Sequence, residues 1–442
     1  MAVNKEKTAG INTAGLTGFL VATLLLILYF LAPWQIPASI HILVLLAPLW
    51  MPIIGSLVFY RLWLRYRRAN YLKTLSSTVL EVLIPRELRK TPLAMEAVFT
   101  GLYLTFGETT FIDRNFLGKV RTWFSFELVS TEGQMHFYIW TRSFFADLLK
   151  SHIYAHYPEV EIREVEDYTK FIPFDLKRYE YYGCDFRFNA ADVYPLKTYI
   201  DYGLEKAGDE EEEKVDPLAS LIEFLGSVTK GNHLWLQIII RAHRGHRKWP
   251  WTKRNSLKEQ TEEEIEHIIQ EAAERTRRVV GKARGVEDEE MGMSGVNLSE
   301  GDREKIKVLD RSANKLAYDA GIRGLYIAEK GKTNSLFLVG MLAGWRHFSA
   351  NNFNSLAYTR YLAGFDYPWQ DFRDIMRNRE RRRIYEAYRR RSYFYEPFKT
   401  RPIVLNTEEL ATLYHFPGEV VKTPTAPRIP SRRGEAPSNL PV

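Results

Sequence analysis

The chain has 442 residues, of which 45% are hydrophobic and 14% aromatic, so it can fill folded cores and is not a disordered chain. Its formal net charge is +7, a mild excess that suits a membrane surface or nucleic acid but requires neither. The single cysteine, Cys184, excludes an intramolecular disulfide framework and is consistent with a reducing compartment.

Two apolar runs near the N-terminus predict a transmembrane helical hairpin at residues 15–60. The first, residues 15–33, is uncharged and reaches about 28 Å as a helix, close to the hydrocarbon thickness of a bilayer. The second, residues 40–60, is interrupted by Pro48 and Pro52. A secretory signal peptide is the alternative for the first run. The second run and the lack of a small-x-small cleavage site favour a membrane span.

Basic residues beside the two runs predict their orientation. Lys5 and Lys7 lie in the N-terminal segment, residues 1–14, and a basic juxtamembrane linker follows the second run at residues 61–75. Positive charge stays on the cytoplasmic side, so we expect both termini and the soluble part to be cytoplasmic at the inner membrane. No acidic side chain, lysine or arginine lies within the runs, which indicates an anchor. The side chains expected at the membrane surface are Arg61, Arg65, Arg67 and Arg68.

Residues 76–170 predict a first α+β unit. A strand at 78–84 precedes a helix that begins at Thr91 and Pro92. The segments RTWFSFELVS and QMHFYIW alternate apolar and polar residues around a TEG turn, which predicts a hairpin with Ser125 and Glu127 on its polar face. A helix at 143–158 and a strand follow. The order β-α-β-β-α-β is the split βαβ, or ferredoxin-like, plan.

Residues 171–360 predict a second unit of related plan. Its strands are YYGCDFRF, the nearly continuous apolar run HLWLQIIIRAHR, and IRGLYIAE. A helix starts at Asp216 and Pro217, and another is NSLFLVGMLAGW. A helical insertion occupies about 260–320, with Ser299 and Asp302 forming a capping box. The predicted fold class is therefore α+β, with two ferredoxin-like units, the second enlarged by this insertion.

Two sequence features resemble chemical sites but do not meet their requirements. Gly331-Lys332-Thr333 lies between a strand and a helix, yet Tyr326 occupies the position where a P-loop needs its first glycine. The histidines of HRGH, His243 and His246, have only cations as neighbours, which repel a metal ion. We therefore expect no cofactor and no metal site, and we expect a non-enzymatic protein. An enzyme with dispersed catalytic residues is the least favoured alternative.

A basic helix and a C-terminal helical segment are predicted at residues 361–418. The basic helix, RNRERRRIYEAYRRRSYFY, interleaves arginines with Tyr385 and Tyr388, a combination that can hold phosphates and stack on bases. The alternatives are contact with the anionic inner leaflet or an acidic protein, or a plainly solvated helix. The candidate contact residues are Arg377, Arg379, Arg381, Arg382, Arg383, Arg389, Arg390 and Arg391.

The ending LNTEELATLYHFPG, followed by SRRGEAPSNLP, resembles the connector before the ATPase core of HerA-type and conjugation-type DNA-pumping ATPases. The segments SFELVSTEGQMHFYIWTR, SHIYAHYPEVEIREVEDY and GIRGLYIAEK resemble the membrane-associated N-terminal region of such proteins. The resemblance covers residues 75–442. Neither a Walker A nor a Walker B motif is present, so none of the family's catalytic residues can be carried over.

This resemblance implies an N-terminal half whose motor is a separately encoded P-loop ATPase. We expect a membrane-anchored scaffold or ATPase-docking component of a conjugation or type IV secretion-like apparatus, with homo-oligomerisation as a further expectation. The alternative is a membrane-tethered DNA-binding protein. The residues expected to dock the ATPase are Leu405, Leu410, Leu413 and Phe416, which could instead complete the protein's own second unit. A Pro-rich flexible tail is predicted at 419–442.

Overall fold

The computed structural model describes residues 41, 44–85, 88, 90–205, 216–245, 256–284, 298–350, 353–359, 369–418 and 428–429. The first predicted span, the acidic loop at 206–215 and nearly all of the predicted tail lie outside these residues. The chain divides into two units, Met1–Ala69 and Asn70–Val442.

One described helix, α1 (Ala47–Lys73), is long and apolar enough to cross a membrane. Its large apolar side chains, such as Leu49, Ile53 and Leu57, are exposed. The helix contains Pro52 and continues without interruption through most of the segment predicted to be a juxtamembrane linker. The basic residues of that segment therefore lie on the same helix as the apolar run.

Beyond α1, the described residues form eight further α-helices and ten strands, together with short 3-10 helices and one π-helix, Asp113–Leu117. The strands are β1 (Ser77–Pro85), β2 (Phe124–Thr131), β3 (Gln134–Arg142), β4 (Glu161–Val165), β5 (Tyr179–Phe188), β6 (Asn232–Ala242), β7 (Ala317–Glu329), β8 (Leu356–Tyr358), β9 (Ile403–Asn406) and β10 (Arg428–Ile429). The helices are α2 (Pro92–Gly101), α3 (Ala146–His156), α4 (Pro217–Gly226), α5 (Leu257–Arg284), α6 (Glu300–Ala313), α7 (Ser335–Ala343), α8 (Ile375–Arg389) and α9 (Thr407–Leu413).

All ten strands belong to one sheet, in the order β10-β1-β3-β2-β6-β7-β5-β8, with β4 beside β1 and β9 beside β7. Every described pairing is antiparallel except that of β10 with β1. The first half has the strand order β4-β1-β3-β2, and the second half repeats it as β8-β5-β7-β6. The two halves join where β2 pairs with β6, so the two α+β units expected from the sequence share one continuous sheet.

Both faces of the sheet are covered, which explains why its central strands contain so few exposed residues. The helices α2, α3, α4, α7 and α9 contribute to the core on the first face. On the second face, Tyr168, Ile172 and residues 393–395 pack with α8 in a second core. Ser125 and Glu127, predicted on a polar face of a hairpin, are fully buried because α8 and its flanking segments cover that face.

The C-terminal segment completes the first core. Strand β9 pairs with the first residues of β7, and Asn406 then starts α9 through a capping box with Glu409. Every residue from Ile403 to Pro417 is buried. Leu405, Leu410, Leu413 and Phe416 are therefore core residues and offer no docking surface in this arrangement. Their interpretation as an ATPase contact is replaced by the alternative that they complete the protein's own fold.

Acidic side chains of α9 are also paired inside the protein. The carboxylate of Glu409 accepts hydrogen bonds from the backbone N–H groups of Leu196 (2.7 Å) and Asn406 (2.8 Å). Glu408 accepts one from Thr198 and lies 3.2 Å from a guanidinium nitrogen of Arg311. Because each of these groups would lose its partner if the segment left the core, detachment carries a large cost.

His415 makes the stability of this segment depend on pH. Its Nε2 lies 3.1 Å from Oδ2 of Asp216, and its Nδ1 lies 2.9 Å from the carbonyl oxygen of Ala411. Both ring nitrogens face acceptors, so the doubly protonated ring fits the site. Burial lowers the pKa of His415, but the Asp216 charge and these hydrogen bonds raise it above its ordinary value overall. Its contribution to stability is present below the unfolded pKa and is lost as pH rises through the folded pKa.

We predict that the Tm of the full chain in detergent falls between pH 6.5 and 9 by more than the Tm of His415→Gln falls. Glutamine removes the titrating ring, so the variant loses this pH dependence whatever its fixed cost. The measurement is thermal unfolding at several pH values for both proteins. Parallel Tm curves would show that His415 does not titrate differently in the folded state.

Candidate functional site

Helix α8 carries the predicted basic surface and runs across the second face of the sheet. Ile384, Tyr385 and Tyr388 are buried beneath it. The Tyr385 hydroxyl donates to the carbonyl oxygen of Ile172 (2.7 Å), and the Tyr388 hydroxyl bonds to that of Tyr168 (2.8 Å). The two tyrosines expected to stack on bases are therefore core residues, and only the opposite face of α8 can meet a partner.

The solvent face of α8 divides into two groups of arginines. At its C-terminal end, Arg389 and Arg390 both contact the carboxylate of Glu386, at 2.9 and 3.0 Å. In its middle part, Arg379, Arg382 and Arg383 are exposed. Arg383 lies 3.5 Å from Glu380. No carboxylate among the described residues forms an ion pair with Arg379 or Arg382.

Two further arginines of α8 are only partly exposed. Arg377 pairs with Asp374 at 3.1 Å. Arg381 donates to the side-chain oxygen of Asn378 (3.1 Å), and its guanidinium carbon lies 5.8 Å from the centre of the Tyr182 ring. Neither guanidinium is as accessible as those of the exposed group.

Arg391 was predicted to contact an anionic partner, and the structure corrects this: the residue is 1% exposed. The chain turns inward after α8, and Arg391 adopts a left-handed backbone conformation with φ of 48°. Its guanidinium meets Glu127 in a two-pronged contact at 3.0 and 3.1 Å and also bonds to Asp167. Burial lowers the pKa of Arg391, but the two carboxylates raise it by more, so the pKa lies well above its ordinary value and the charge is retained.

Glu127 lies at the junction of the two half-sheets. It stands on β2 opposite Gln237 on β6, and the Gln237 amide donates to its carboxylate at 2.8 Å. Further donors are the hydroxyls of Ser125 (2.6 Å) and Tyr168 (2.8 Å). With Arg391, these groups surround a fully buried carboxylate, so the network joins both halves to the end of α8.

A second buried ionic network surrounds Asp319 on β7. Its carboxylate accepts from Arg241 (2.8 Å) and Arg121 (3.3 Å) and lies 2.6 Å from Nδ1 of His243. Burial raises the pKa of Asp319, but the His243 contact and the arginine charges outweigh it and lower the pKa to about 2. His243 therefore belongs to a structural ion network, while His246 lies outside the described residues. No group of three His, Cys, Asp or Glu among the described residues could hold a metal ion.

The Gly331-Lys332-Thr333 segment is a turn whose polar groups bond within the protein. Lys332 pairs with Glu329 at 2.7 Å, and the Thr333 hydroxyl donates to Glu180 at 2.7 Å. Asn334 caps α7, because its side chain accepts a hydrogen bond from the backbone N–H of Leu336. The Tyr326 hydroxyl, in place of a P-loop glycine, accepts from the backbone N–H of Asn334.

The juxtamembrane arginines lie on α1 among aromatic side chains. The rings of Phe59, Trp63 and Tyr66 follow one another along the helix, with centroid separations of 6.3 and 6.4 Å. The Arg67 guanidinium carbon lies 5.5 Å from the centre of the Trp63 ring. Arg61 and Arg65 are exposed, and Arg68 is partly exposed. Aromatic and basic residues at the end of an apolar helix are typical of a membrane interface.

One exposed surface was missed in the sequence. The connection between α2 and β2 exposes several large apolar side chains. They come from the segment TFGETTFIDRNFLGK, where they occur singly or in pairs. These are Phe106, Phe111, Ile112, Phe116 and Leu117. The signal was available in the FI and FL pairs, which do not match the periodicity of a buried helix or strand.

A family model described as "Domain of unknown function (DUF8128)" matches residues 77–428. The chain belongs to the DUF8128 family. The match starts at the first residue of β1 and ends within β10, so the DUF8128 domain is the sheet with its two covering layers and does not include α1. No curated protein matches the chain.

We predict that Arg391→Gln destabilises this DUF8128 protein by about 3–5 kcal/mol, because it leaves the fully buried carboxylate of Glu127 and the partly buried carboxylate of Asp167 without their cation. Arg390→Gln is the matched control, one residue away. Its side chain is largely exposed and pairs with Glu386 at the surface, so its loss should cost about 0–1 kcal/mol. Denaturant unfolding of both variants measures the difference. Equal destabilisation would contradict a structural role for Arg391.

Proposed function

We propose that this DUF8128 protein is a non-enzymatic scaffold, anchored in the inner membrane, that docks a separately encoded P-loop ATPase of a conjugation or type IV secretion-like apparatus. The observation that carries the proposal is the connection between α1 and the sheet. Only residues 74–76 separate the end of α1 from β1. A body attached by so short a connection stays close to the bilayer, as a platform must, whereas a long flexible tether would let it move away.

The finer architecture belongs to the same proposal. Each half-sheet has the strand order of a split βαβ unit, with helices following its first and third strands, and this supports two ferredoxin-like units. The sequence of residues 15–33 supports a second membrane helix. The resemblance to the N-terminal region of HerA-type ATPases supports an ATPase partner and an oligomeric platform.

The orientation can be tested by thiol labelling at single cysteines placed at Ser39 and Ser431. Cys184→Ser is the background, although burial already raises the pKa of the native thiol. With both termini cytoplasmic, the cysteine at position 39 reacts with an impermeant reagent added to intact cells. The cysteine at 431 reacts only after lysis. Labelling of the cysteine at position 431 in intact cells would contradict this topology, because it would place the C-terminus outside the cell membrane.

The exposed arginines in the middle part of α8 are the proposed contact with the ATPase. We predict that the triple variant Arg379→Gln, Arg382→Gln, Arg383→Gln folds normally but no longer co-purifies with the ATPase. Arg389→Gln with Arg390→Gln is the control, because Glu386 already neutralises part of that group. Quantitative mass spectrometry of complexes purified in mild detergent gives the readout. Retention of the ATPase by the triple variant would show that these arginines of α8 are not part of the docking surface.

The alternative, a membrane-tethered DNA-binding protein, is favoured by the same exposed arginines. DNA binding through three phosphate contacts makes log K fall with log salt, and losing them should reduce that slope by roughly 2.7. If the triple variant shows this reduced slope but still co-purifies with the ATPase, the result supports the DNA-binding function. A variant that loses the ATPase without any change in DNA affinity would select the scaffold.

A further inference from the structure

We propose that the loop between Phe106 and Leu117 is a second membrane contact, whose apolar side chains enter the boundary between lipid headgroups and acyl chains. The proposal rests on the membrane anchoring through α1 proposed above. It adds that the sheet-containing body itself binds the bilayer through a site of its own.

The loop concentrates exposed apolar area. The exposed fractions are 62% for Phe106, 71% for Phe111, 60% for Ile112, 53% for Phe116 and 43% for Leu117. Single exposed apolar residues are ordinary, but a contiguous group of this size marks an interaction surface. Three phenylalanines with neighbouring aliphatic residues have the composition of segments that lie in a membrane interface.

The buried polar side chains of the loop, Asp113 and Asn115, bond within it, whereas its large apolar side chains are exposed. The Asp113 carboxylate accepts from the hydroxyls of Thr109 and Thr110, each at 2.8 Å, and pairs with Lys119 at 2.8 Å. The Asn115 amide donates to the carbonyl oxygen of Phe111 at 3.0 Å. In a loop that faces only water, the opposite arrangement is usual: polar side chains are exposed and phenylalanines are buried.

The base of the loop is fixed by the ion network around Asp319. The backbone N–H of Arg121 donates to the Tyr395 hydroxyl (2.9 Å), and the Arg121 side chain donates to the carbonyl oxygen of Ala242 (3.0 Å). Arg244 donates to the carbonyl oxygen of Glu108 at 3.1 Å. The two sides of the base approach so closely at Gly107 that a Cβ there would lie 2.2 Å from the Val120 carbonyl oxygen. The apolar tip is thus presented from a fixed base.

The loop lies at the end of the sheet where the chain arrives from α1. Ser77, the first residue of β1, pairs with Arg142, the last residue of β3, and β2 begins beside them. Tyr71 packs against the second core, which includes Val120 and Trp123 at the foot of the loop. Phe144, two residues beyond Arg142, is 88% exposed at this same end.

The bilayer is the occupant that this position favours. Tyr71, which belongs to the same unit as the loop, follows Tyr66 by five residues, a length of chain that spans at most about 18 Å. Because the chain enters the sheet-containing unit at this end, lipid around the proposed membrane span is within reach of the loop. Both acids of the loop are paired, Asp113 with Lys119 and Glu108 with Arg121 (3.8 Å), so little negative charge opposes an anionic leaflet.

The test uses the full chain reconstituted in vesicles of neutral and anionic lipid, on a Cys184→Ala background. An environment-sensitive fluorophore is attached to Phe111→Cys, to Leu336→Cys or to Leu57→Cys. Leu336 is the matched control, because it is 70% exposed and lies at the start of α7, beyond the opposite end of β7. Leu57 in α1 is the membrane reference. Quenching by lipids brominated along the acyl chain reports contact with the bilayer.

We expect fluorescence loss at positions 57 and 111 and none at 336. Loss at 57 without loss at 111 overturns the loop proposal and leaves the anchor intact. A label at 111 that is shielded only at high protein concentration, and is not quenched by brominated lipid, also overturns it in favour of a contact between copies. No loss at 57 refutes the anchor itself, and with it the basis of this inference.

Discussion

The pairing of β2 with β6 is the interaction on which the rest of the protein depends. Without it, each half-sheet would end in a long apolar edge strand with unpaired backbone groups, which invites aggregation. The pairing extends from Phe124 opposite Ile240 to Thr131 opposite His233. In its middle, Glu127 and Gln237 place a buried carboxylate and amide side by side, and the hydrogen bond between them joins the two halves. The sheet is therefore one cooperative unit, although its strand order is that of a repeat.

Satisfying Glu127 also determines how the chain continues after the second half-sheet. Its carboxylate needs a cation, and Arg391 supplies one from the end of α8, with Asp167 sharing the charge. This contact fixes the C-terminal end of α8 on the second face. One face of the helix, which carries Tyr385 and Tyr388, then packs against the protein, and the opposite face is exposed to solvent. The exposed arginines are a consequence of that orientation, and they are available for a partner without disturbing the core.

Local patterns in the sequence were sufficient to predict most strands and helices, including the capping box at Ser299. They failed where a distant segment changes the environment. Ser125 and Glu127 alternate with phenylalanines as residues of a solvated face do, but α8, more than two hundred residues later, covers them. Leu405 to Phe416 has the amphipathic appearance of a docking helix, yet it pairs with β7 and fills the first core. Arg391 belongs to a run of arginines by sequence and to an ion network by structure. Each error concerns burial by a remote element, which no local period encodes.

The two ends of the sheet differ in the side chains that lie beside them. The chain arrives from α1 beside β1, and the apolar loop and Phe144 lie at that same end. Tyr395 reaches that end as well, where Arg121 donates to its hydroxyl. At the other end, Arg381 near the start of α8 lies against Tyr182, beside the beginning of β5. Helix α8 therefore runs from the far end towards the end where the apolar loop lies. Arg379, Arg382 and Arg383 lie farther from the loop end than Arg389 and Arg390, which are also exposed but contact Glu386. In the function proposed above, lipid meets the loop end, and the group Arg379, Arg382 and Arg383 is the surface offered to an ATPase or DNA.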